Sequence, residues 1–491
     1  MMACRVFGAL AFGLLGSTAQ AARASAASVE QTGVRQATTQ AGRQRRVSVR
    51  PEGRLRGGAD FGSNASTGVV IDAGSSGSRV YVFRWEPSDP AGTIVELASL
   101  RIKPGVSKHA RLGGAAAAAQ SLLPLLEFAR AQPGVQPAET QVHFMATAGM
   151  RLIEPALQRD VLAAVEQLLI DSPFLAARPG ARARVLSGEE EALYDWLSVN
   201  AALRLLGGDP ERTASVTDLG GASTQLAFAT LPEHVPHEVA LARFGHAHVL
   251  GVSRLGLGMN EALANMLSGP SQAAMGSCLA RGARATSAHG VELEGTGDYD
   301  GCRTAIRAFI EQYEARRHAG ARAPPTMPSN GQWPLYLFDN FPKVRARACA
   351  ASRGHVRSRA RAVTWPPRAP RVRPRVQGAA ILLNATDVPT EQALTLAQLE
   401  ELGRAVCAVP EDAIRFQRPL GTAQERSPCF LGAYMVELLH GLYGFPLSPP
   451  PGSQVGVLKF VAELNGFSMN WPLGAMVFEA VYAPAAGVAC A

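Results

Sequence analysis

The sequence predicts an α/β protein with two lobes built around a repeated element, and three observations support this. The chain has 491 residues, more than one compact core usually holds. Strand-like and helical runs alternate from about residue 66 to residue 206. Two acidic, glycine-rich segments, VIDAGSSGSRVYVF from Val70 and VTDLGGASTQLAF from Val216, also look like edited copies of one another.

The order of the elements assigns the lobes. The strand-like runs of the first lobe are TGVVIDAG, RVYVFRW, QVHFMATAG and GARARVLSG. Its helical runs are AAAAAQSLLPLLEFARAQ, which Pro124 interrupts, and PALQRDVLAAVEQLLI, which has a proline near its first turn. A third helical run, EEEALYDWLSVNAALRLL, leads to the second glycine-rich segment. We assign residues 66–187 and the apolar tail, 455–491, to lobe I, and residues 188–454 to lobe II.

Residues 1–22 have the layout of a secretory signal peptide. Arg5 precedes an apolar run over residues 6–15, and small residues follow it. We expect a protein of the secretory pathway, either secreted or in the Golgi or endoplasmic reticulum lumen. An uncleaved signal anchor, which would hold the protein in a membrane, is the alternative. Residues 23–65 are poor in large apolar side chains and are predicted to form a disordered linker.

The positive charge of the chain is concentrated in one segment. The net charge is +8, but ten arginines and no acids lie between Arg345 and Arg375. Without them the rest of the chain is close to neutral, so we do not expect nucleic-acid binding. Residues 345–377 have no periodicity that could bury a core. They indicate a disordered insert or a translated non-coding segment, and a basic loop for an acidic partner is the alternative.

The cysteines favour an oxidising compartment. Each expected disulfide joins two cysteines that flank the same loop-rich segment, and these pairs are Cys278 with Cys302 and Cys407 with Cys429. The pairing of Cys349 and Cys490 stays open. Two N-glycosylation sequons begin at Asn64 and Asn384.

The residues of the repeated segment indicate what it could bind. Asp72 aligns with Asp218, and Gly74 aligns with Gly220. A hairpin tip rich in glycine and serine presents several backbone N–H groups to one point, which suits a phosphate chain. The carboxylate at the entrance of each tip can hold the divalent cation that accompanies the phosphates. Two such hairpins that face each other would therefore hold a polyphosphate from both sides.

Two further motifs accompany the repeat. FMATAGMR places Thr147 at a turn after a strand, where its hydroxyl can meet a terminal phosphate. LSGEEEALYDW places three acids where a helix begins, a position in which carboxylates often only complement the helix dipole. Because consecutive helical residues point about 100° apart, at most one of the three can face a cleft. A glutamate there could accept a proton from an attacking water.

Five motifs in order resemble the apyrase conserved regions of the GDA1/CD39 family, the nucleoside triphosphate diphosphohydrolases. They are DAGSSGSR, ATAGMR, SGEEEA, DLGGASTQ and NWPLGAM. The resemblance extends from about residue 67 to residue 476, except for the arginine-rich insert. It implies a two-lobed actin-like ATPase fold, an RNase H-like unit in duplicate. It also implies hydrolysis of the terminal phosphate of nucleoside di- or triphosphates by metal-assisted in-line attack of water.

The resemblance also implies residue roles. Glu191 would activate the water, with Thr147, Ser223 and Gln225 as further catalytic residues. Asp72 and Asp218 would hold Ca²⁺ or Mg²⁺, mostly through water. The residues implied in phosphate or nucleotide binding are Gly74, Ser75, Ser76, Gly77, Ser78, Arg79, Ala148, Gly149, Arg151, Gly220, Gly221, Ala222 and Ser223.

The chain departs from the family pattern at three places. Ala192 and Asp195 stand where relatives usually have glycine, and residues 250–253 replace an aromatic-X-His-Ser sequence. Two alternatives therefore accompany the main hypothesis. One is a non-catalytic nucleotide-binding or surface-interaction protein, and the other is a polyphosphate-directed phosphohydrolase of the same fold. Nucleobase preference, the preferred number of phosphates and the oligomeric state are left open.

Overall fold

The structure is a computed structural model of the chain. It describes residues 46–49, 61, 64–177, 182–232, 242–287, 289–317, 335–339, 393–410, 428–448 and 457–483. The predicted signal peptide, most of the predicted linker, the arginine-rich insert, Asn384, Cys349 and Cys490 lie outside these residues. Asn64 is described and is exposed at a turn.

Two mixed sheets form the framework, each with seven strands in the described part of the chain. The first contains β1 (Arg46–Val49), β2 (Ser66–Gly74), β3 (Gly77–Trp85), β4 (Val95–Ile102), β5 (Gln141–Ala146), β6 (Leu175–Ala176) and β7 (Ala183–Val185). The second contains β8 (Ser215–Leu219), β9 (Ser223–Ala229), β10 (Ala242–Phe244), β11 (Ala247–Leu255), β14 (Leu335–Asp339), β15 (Ala393–Thr395) and β16 (Val457–Phe460). Two small hairpins are β12 (Arg284–Thr286) with β13 (Glu292–Glu294), and β17 (Glu463–Leu464) with β18 (Phe467–Ser468).

The strand order shows the duplication directly. In the first sheet, β2 pairs antiparallel with β3 and parallel with β5. In the second sheet, β8 pairs antiparallel with β9 and parallel with β14. Each glycine-rich segment is thus the tip of the hairpin that begins its unit, β2–β3 or β8–β9. This shared topology agrees with the α/β class and the internal repeat that the sequence predicts.

Eleven α-helices are present in the described residues. They are α1 (Pro90–Thr93), α2 (Val106–Gln120), α3 (Leu123–Arg130), α4 (Ala148–Arg151), α5 (Pro155–Asp171), α6 (Gly188–Ala202), α7 (Met259–Ser268), α8 (Tyr299–Arg317), α9 (Leu396–Cys407), α10 (Pro428–Val436) and α11 (Trp471–Val477). Single π-helical segments, Glu437–Leu442 and Phe478–Tyr482, extend α10 and α11. Pro124 lies in the first turn of α3, where its missing N–H breaks no helical hydrogen bond, so it separates α3 from α2.

One helical stretch in the described chain, Val106–Arg130, has the length and composition of a possible membrane span. Its buried residues, among them Leu122, Leu125 and Leu126, pack in the core of the first sheet with Val69. Burial within the fold covers 33% of its most apolar 18-residue window.

Helices α6 and α11 lie in a core that both sheets share. This core contains Val70 from β2 and Phe338 from β14, together with the buried Trp196 of α6 and Trp471 of α11. The two helices pack so closely that Gly474 N donates to Ser198 Oγ at 2.7 Å. Trp471 of the fifth motif therefore helps to join the two halves.

Two strands differ from the sequence predictions. β1 lies in the segment predicted to be a disordered linker, but its alternating Val47 and Val49 suit a strand, and it pairs antiparallel with β4. β16 lies in the tail assigned to lobe I, but it pairs with β14 and β15 in the second sheet. Leu458 and Phe460 of β16 are buried in the core of that sheet, so apolar burial decides its place.

The described residues of the second half of the chain include two disulfides. Cys278 is bonded to Cys302 and Cys407 to Cys429, with Cα–Cα distances of 4.7 and 4.4 Å. All four cysteines are buried in the core that surrounds α8 and α10. The disulfides therefore join the segments around the second sheet to one another.

The close packing of α6 on α11 yields a stability prediction. A Cβ at Gly474 would lie 1.9 Å from the Tyr194 carbonyl oxygen, so we expect Gly474→Ala to force the helices apart. Overpacking of this kind costs about 1–3 kcal/mol, and thermal unfolding measures it. Gly208→Ala is the matched control, because its Cβ would meet only the Leu205 carbonyl oxygen, at 3.5 Å. Equal melting temperatures for both variants and the parent protein would contradict the packing described here.

Candidate active site

The two hairpin tips have the same construction. Asp72 lies opposite Arg79 across β2–β3, and Asp218 lies opposite Gln225 across β8–β9. In the second hairpin the turn is closed by Gly220 N, which donates to Ser223 O at 2.9 Å. Each carboxylate thus stands at the entrance of its tip.

Both tips border one cleft. The lining residues come from the two tips, from the turn after β5, from the start of α6 and from the fifth motif. They are Asp72, Gly74, Ser75, Ser76, Gly77, Arg79, Arg101, Thr147, Ala148, Glu191, Asp218, Gly220, Gly221, Ala222, Ser223, Met469, Asn470 and Trp471. The cavity between the tips is small, with a volume of about 80 Å³.

The two tips approach each other closely. A Cβ at Gly221 would lie 2.5 Å from Ser75 Oγ of the opposite tip. A methyl group at residue 221 would therefore require the Ser75 hydroxyl to turn away from its present position. The arrangement offers backbone and hydroxyl donors from two sides, as expected for a polyphosphate cradle.

Thr147 enters the cleft because β5 runs parallel to β2. Its N–H donates to the Ala73 carbonyl at 3.3 Å, directly below the first tip. The side chain is buried and lines the cleft. Gly149 packs beneath the tip, where a Cβ would lie 2.7 Å from Ser75 Cα.

The three acids of α6 have different environments. Ser187 and Glu190 form a reciprocal capping box, in which Glu190 N donates to Ser187 Oγ at 3.0 Å and Ser187 N donates to Glu190 Oε2 at 2.9 Å. Glu190 also pairs with Arg184, and Glu189 is exposed. Glu191 alone is buried and lines the cleft.

Arg151 and Gln225 hold the Glu191 carboxylate. Arg151 donates to its Oε2, and Gln225 Nε2 donates to the same oxygen at 3.1 Å. The Gln225 amide also contacts the hydroxyls of Ser223 at 2.8 Å and Ser253 at 3.3 Å. Glu191 is thus held in one position by groups from both halves of the protein.

The family departures leave this arrangement intact. Ala192 is buried, and its methyl group would lie 3.3 Å from a Cβ at Gly251. Asp195 is buried one turn further along α6. Ser253, from the segment that departs from the family pattern, contacts Gln225 beside the carboxylate.

Four predicted site residues do not line the cleft. Arg151 and Gln225 contact Glu191 instead, Gly149 supports the first tip from below, and Ser78 is fully buried. Because side chains alternate along a strand, Ser78 must face away from the side that Arg79 occupies. The phosphate contacts predicted for Ser78, Gly149 and Arg151 stay predictions.

Four lining residues were not among the predicted site residues. Arg101 reaches the cleft from β4, Met469 and Asn470 come from the segment before α11, and Trp471 is the first residue of α11. The pattern S-x-x-E at Ser187 is a recognisable capping signature and would have separated Glu190 from Glu191. Asn470 is the first residue of the NWPLGAM motif, and this motif was the signal in the sequence that could have identified it as a site residue. Arg101 lies outside the five motifs, so no motif in the sequence identified it as a site residue.

The cleft fits a divalent cation bound together with a substrate. Asp72 and Asp218 supply hard oxygen donors from opposite sides, and Mg²⁺ typically uses one or two carboxylates, waters and substrate phosphates. In the described part of the chain, no group of three or more His, Cys, Asp or Glu residues could hold a metal by itself.

Comparison with known proteins decides the family. The sequence model of the GDA1/CD39 (nucleoside phosphatase) family matches residues 61–319. The chain belongs to this family. The match covers both hairpin tips, Thr147 and the capped start of α6, so the predicted membership is confirmed.

Curated relatives agree with this result. The chain is 37% identical to "Probable apyrase 6" of Arabidopsis thaliana over 217 residues, which are 43% of this chain and 37% of that protein. It is 34% identical to "Nucleoside-diphosphatase uda-1" of Caenorhabditis elegans, over 40% of this chain and 46% of that protein. These alignments span about a third to a half of the relatives' length. "Ectonucleoside triphosphate diphosphohydrolase 1" of Rattus norvegicus aligns over 84% of this chain and 81% of its own length, at 24% identity.

A solved structure confirms the fold class. The chain superposes on a nucleoside triphosphate hydrolase from Neospora caninum with a TM-score of 0.57 and 17% sequence identity. The superposition covers 86% of this chain and 93% of the other. This superposition confirms the predicted two-lobed α/β fold.

The contact between the tips yields a binding prediction. Gly221→Ala would displace the Ser75 hydroxyl from its place between the tips, so we expect at least tenfold weaker binding of magnesium pyrophosphate, measured by isothermal titration calorimetry. Circular dichroism should show an unchanged fold, and Gly208→Ala should bind like the parent protein. Undiminished affinity in Gly221→Ala would show that the two tips do not hold one phosphate chain.

Proposed function

We propose that this protein hydrolyses the terminal phosphate of nucleoside di- or triphosphates. The observation that carries the proposal is the convergence of two glycine-tipped hairpins, one from each sheet, on a cleft that also contains the buried Glu191. The hairpins suit a phosphate chain, and the carboxylate suits activation of a water. The names of the apyrase and nucleoside-diphosphatase relatives support the same activity.

Substrate binding follows from the donors in the cleft. The backbone and hydroxyl groups of the two tips would surround the phosphates, and Thr147 would contact the terminal one. Asp72 and Asp218 would hold Ca²⁺ or Mg²⁺ through its water shell. When bound, this cation supplies positive charge to the phosphate oxygens. Preorganised donors of this kind stabilise the charge that develops on the transferred group.

The reaction proposed is a direct attack by water. Glu191 orients a water molecule and accepts its proton, while the water oxygen bonds to the terminal phosphorus in line with the leaving oxygen. The bond between phosphorus and that oxygen breaks, and the shortened nucleotide leaves with the electron pair. Arg151 and Gln225 keep the carboxylate in place, and the hydroxyl of Ser223 adds a second polar contact beside the water.

We also propose that the protein works in the secretory pathway. The two buried disulfides support this location, because such bonds persist in oxidising compartments. The exposed Asn64 lies in a sequon that such a compartment could glycosylate.

A nucleotide panel tests the activity. We expect the purified full-length protein to release inorganic phosphate from at least one of ADP, UDP, GDP and ATP when Ca²⁺ or Mg²⁺ is present. EDTA should abolish the release, because the phosphates would lose the counter-charge beside Asp72 and Asp218. A protein that binds these nucleotides but releases no phosphate would be a non-catalytic binder. Release from long-chain polyphosphate alone would favour the polyphosphate-directed alternative.

A second test concerns the base. Glu191→Gln removes the proton acceptor but keeps the shape of the side chain, so kcat should fall by about 10²- to 10⁴-fold. Nucleotide binding should remain, as measured by calorimetry. Glu190→Gln is the matched control and should keep its activity, because glutamine also serves in a capping box. Full turnover in Glu191→Gln would show that a residue other than Glu191 is the general base.

A further inference from the structure

Three charged residues form a row across the first sheet. Asp72 on β2 lies opposite Arg79 on β3, and Arg79 lies opposite Arg101 on β4. Directly opposed residues project from the same face of a sheet, with Cβ atoms about 4.5–5.5 Å apart. All three residues line the cleft. The hairpin tip therefore has two adjacent arginines on one flank.

Both guanidinium groups are anchored beside the cleft. Arg101 Nη2 donates to Ser76 Oγ of the first tip at 2.8 Å. Arg79 Nη1 donates to the Tyr81 hydroxyl at 2.5 Å, and Asn470 Nδ2 donates to the same hydroxyl. Burial raises the pKa of Tyr81, so this hydroxyl stays neutral. Because a guanidinium has five N–H donors, each arginine can keep its anchor and still contact a phosphate.

The order of the strands assigns the arginines to one side of Asp72. The sheet runs β4–β3–β2–β5. Thr147 follows β5, and the Glu191 helix follows β7, which also pairs with β5. The attacking water and the terminal phosphate would therefore lie on the β5 side. Arg79 and Arg101 lie on the opposite side, towards which the rest of the phosphate chain would extend.

We infer that Arg101 extends the phosphate site of the first tip and, beside Arg79, contacts the leaving phosphate, an inference that rests on the proposed function. As the bond from the terminal phosphorus to the bridging oxygen breaks, the electron pair stays on the leaving phosphate. The guanidinium groups stabilise this developing negative charge, while the proton of the attacking water goes to Glu191. The subsite requires a second phosphate group, so it selects di- and triphosphates over monophosphates.

The test compares Arg101→Ala, Arg101→Lys and the control Arg130→Ala, whose side chain is exposed at the end of α3. The substrate is the nucleoside diphosphate that the parent protein hydrolyses fastest. We expect kcat to fall roughly ten- to hundredfold in Arg101→Ala, with a smaller change in KM, because a charge-assisted hydrogen bond is lost mainly in the transition state. Arg101→Lys should recover part of the loss, and Arg130→Ala should keep the parent kcat.

Product binding separates this subsite from the terminal one. In calorimetric titrations, Arg101→Ala should bind the nucleoside monophosphate product at least tenfold more weakly and orthophosphate within about twofold of the parent protein. Equal losses for both products would place Arg101 at the terminal phosphate and overturn the inference. Parent-like kcat and product affinity in Arg101→Ala and Arg101→Lys would also overturn it. Absence of phosphate release from every nucleotide by the parent protein is a separate outcome, which rejects the proposed function itself.

Discussion

The close approach of two hairpin tips is the constraint on which the site depends. Gly221 lies so near Ser75 that a methyl group there would displace the Ser75 hydroxyl. Neither tip alone could surround a phosphate chain, and each stands on a different sheet. Their contact therefore requires that the two sheets hold a fixed relation. The shared core around α6 and α11 provides this relation, since it contains buried residues of both sheets.

Helix α6 connects that core to the chemistry. Its body packs against α11 and the second sheet, with Trp196 and Leu197 fully or almost fully buried. Its first turn is fixed by the capping box of Ser187 and Glu190, which leaves the next residue, Glu191, to the cleft. Arg151 from the first half and Gln225 from the second half then hold that carboxylate. The same packing that joins the halves thus also orients the proposed base.

Much of the site could be predicted because its signals are local in the sequence. The repeated turns identified Asp72 and Asp218, and the order of the motifs identified Thr147 and Glu191. Arg101 could not be found in this way, because its place depends on the register between β3 and β4. β1 was missed, and β16 was assigned to the first lobe, for a similar reason: a short strand joins whichever sheet buries or pairs it. The contact of Arg151 with Glu191 depends on side-chain geometry that no spacing encodes.

The central claim is that both tips hold one phosphate chain, with one cation between the two carboxylates. A crystal structure of the protein with Mn²⁺ and a non-hydrolysable nucleoside diphosphate analogue tests it most directly, because anomalous scattering locates the ion. The account predicts a single ion between Asp72 and Asp218, bound to them directly or through one water, with both phosphates between residues 74–77 and 220–223. An ion elsewhere, or phosphates that contact only one tip, would contradict it.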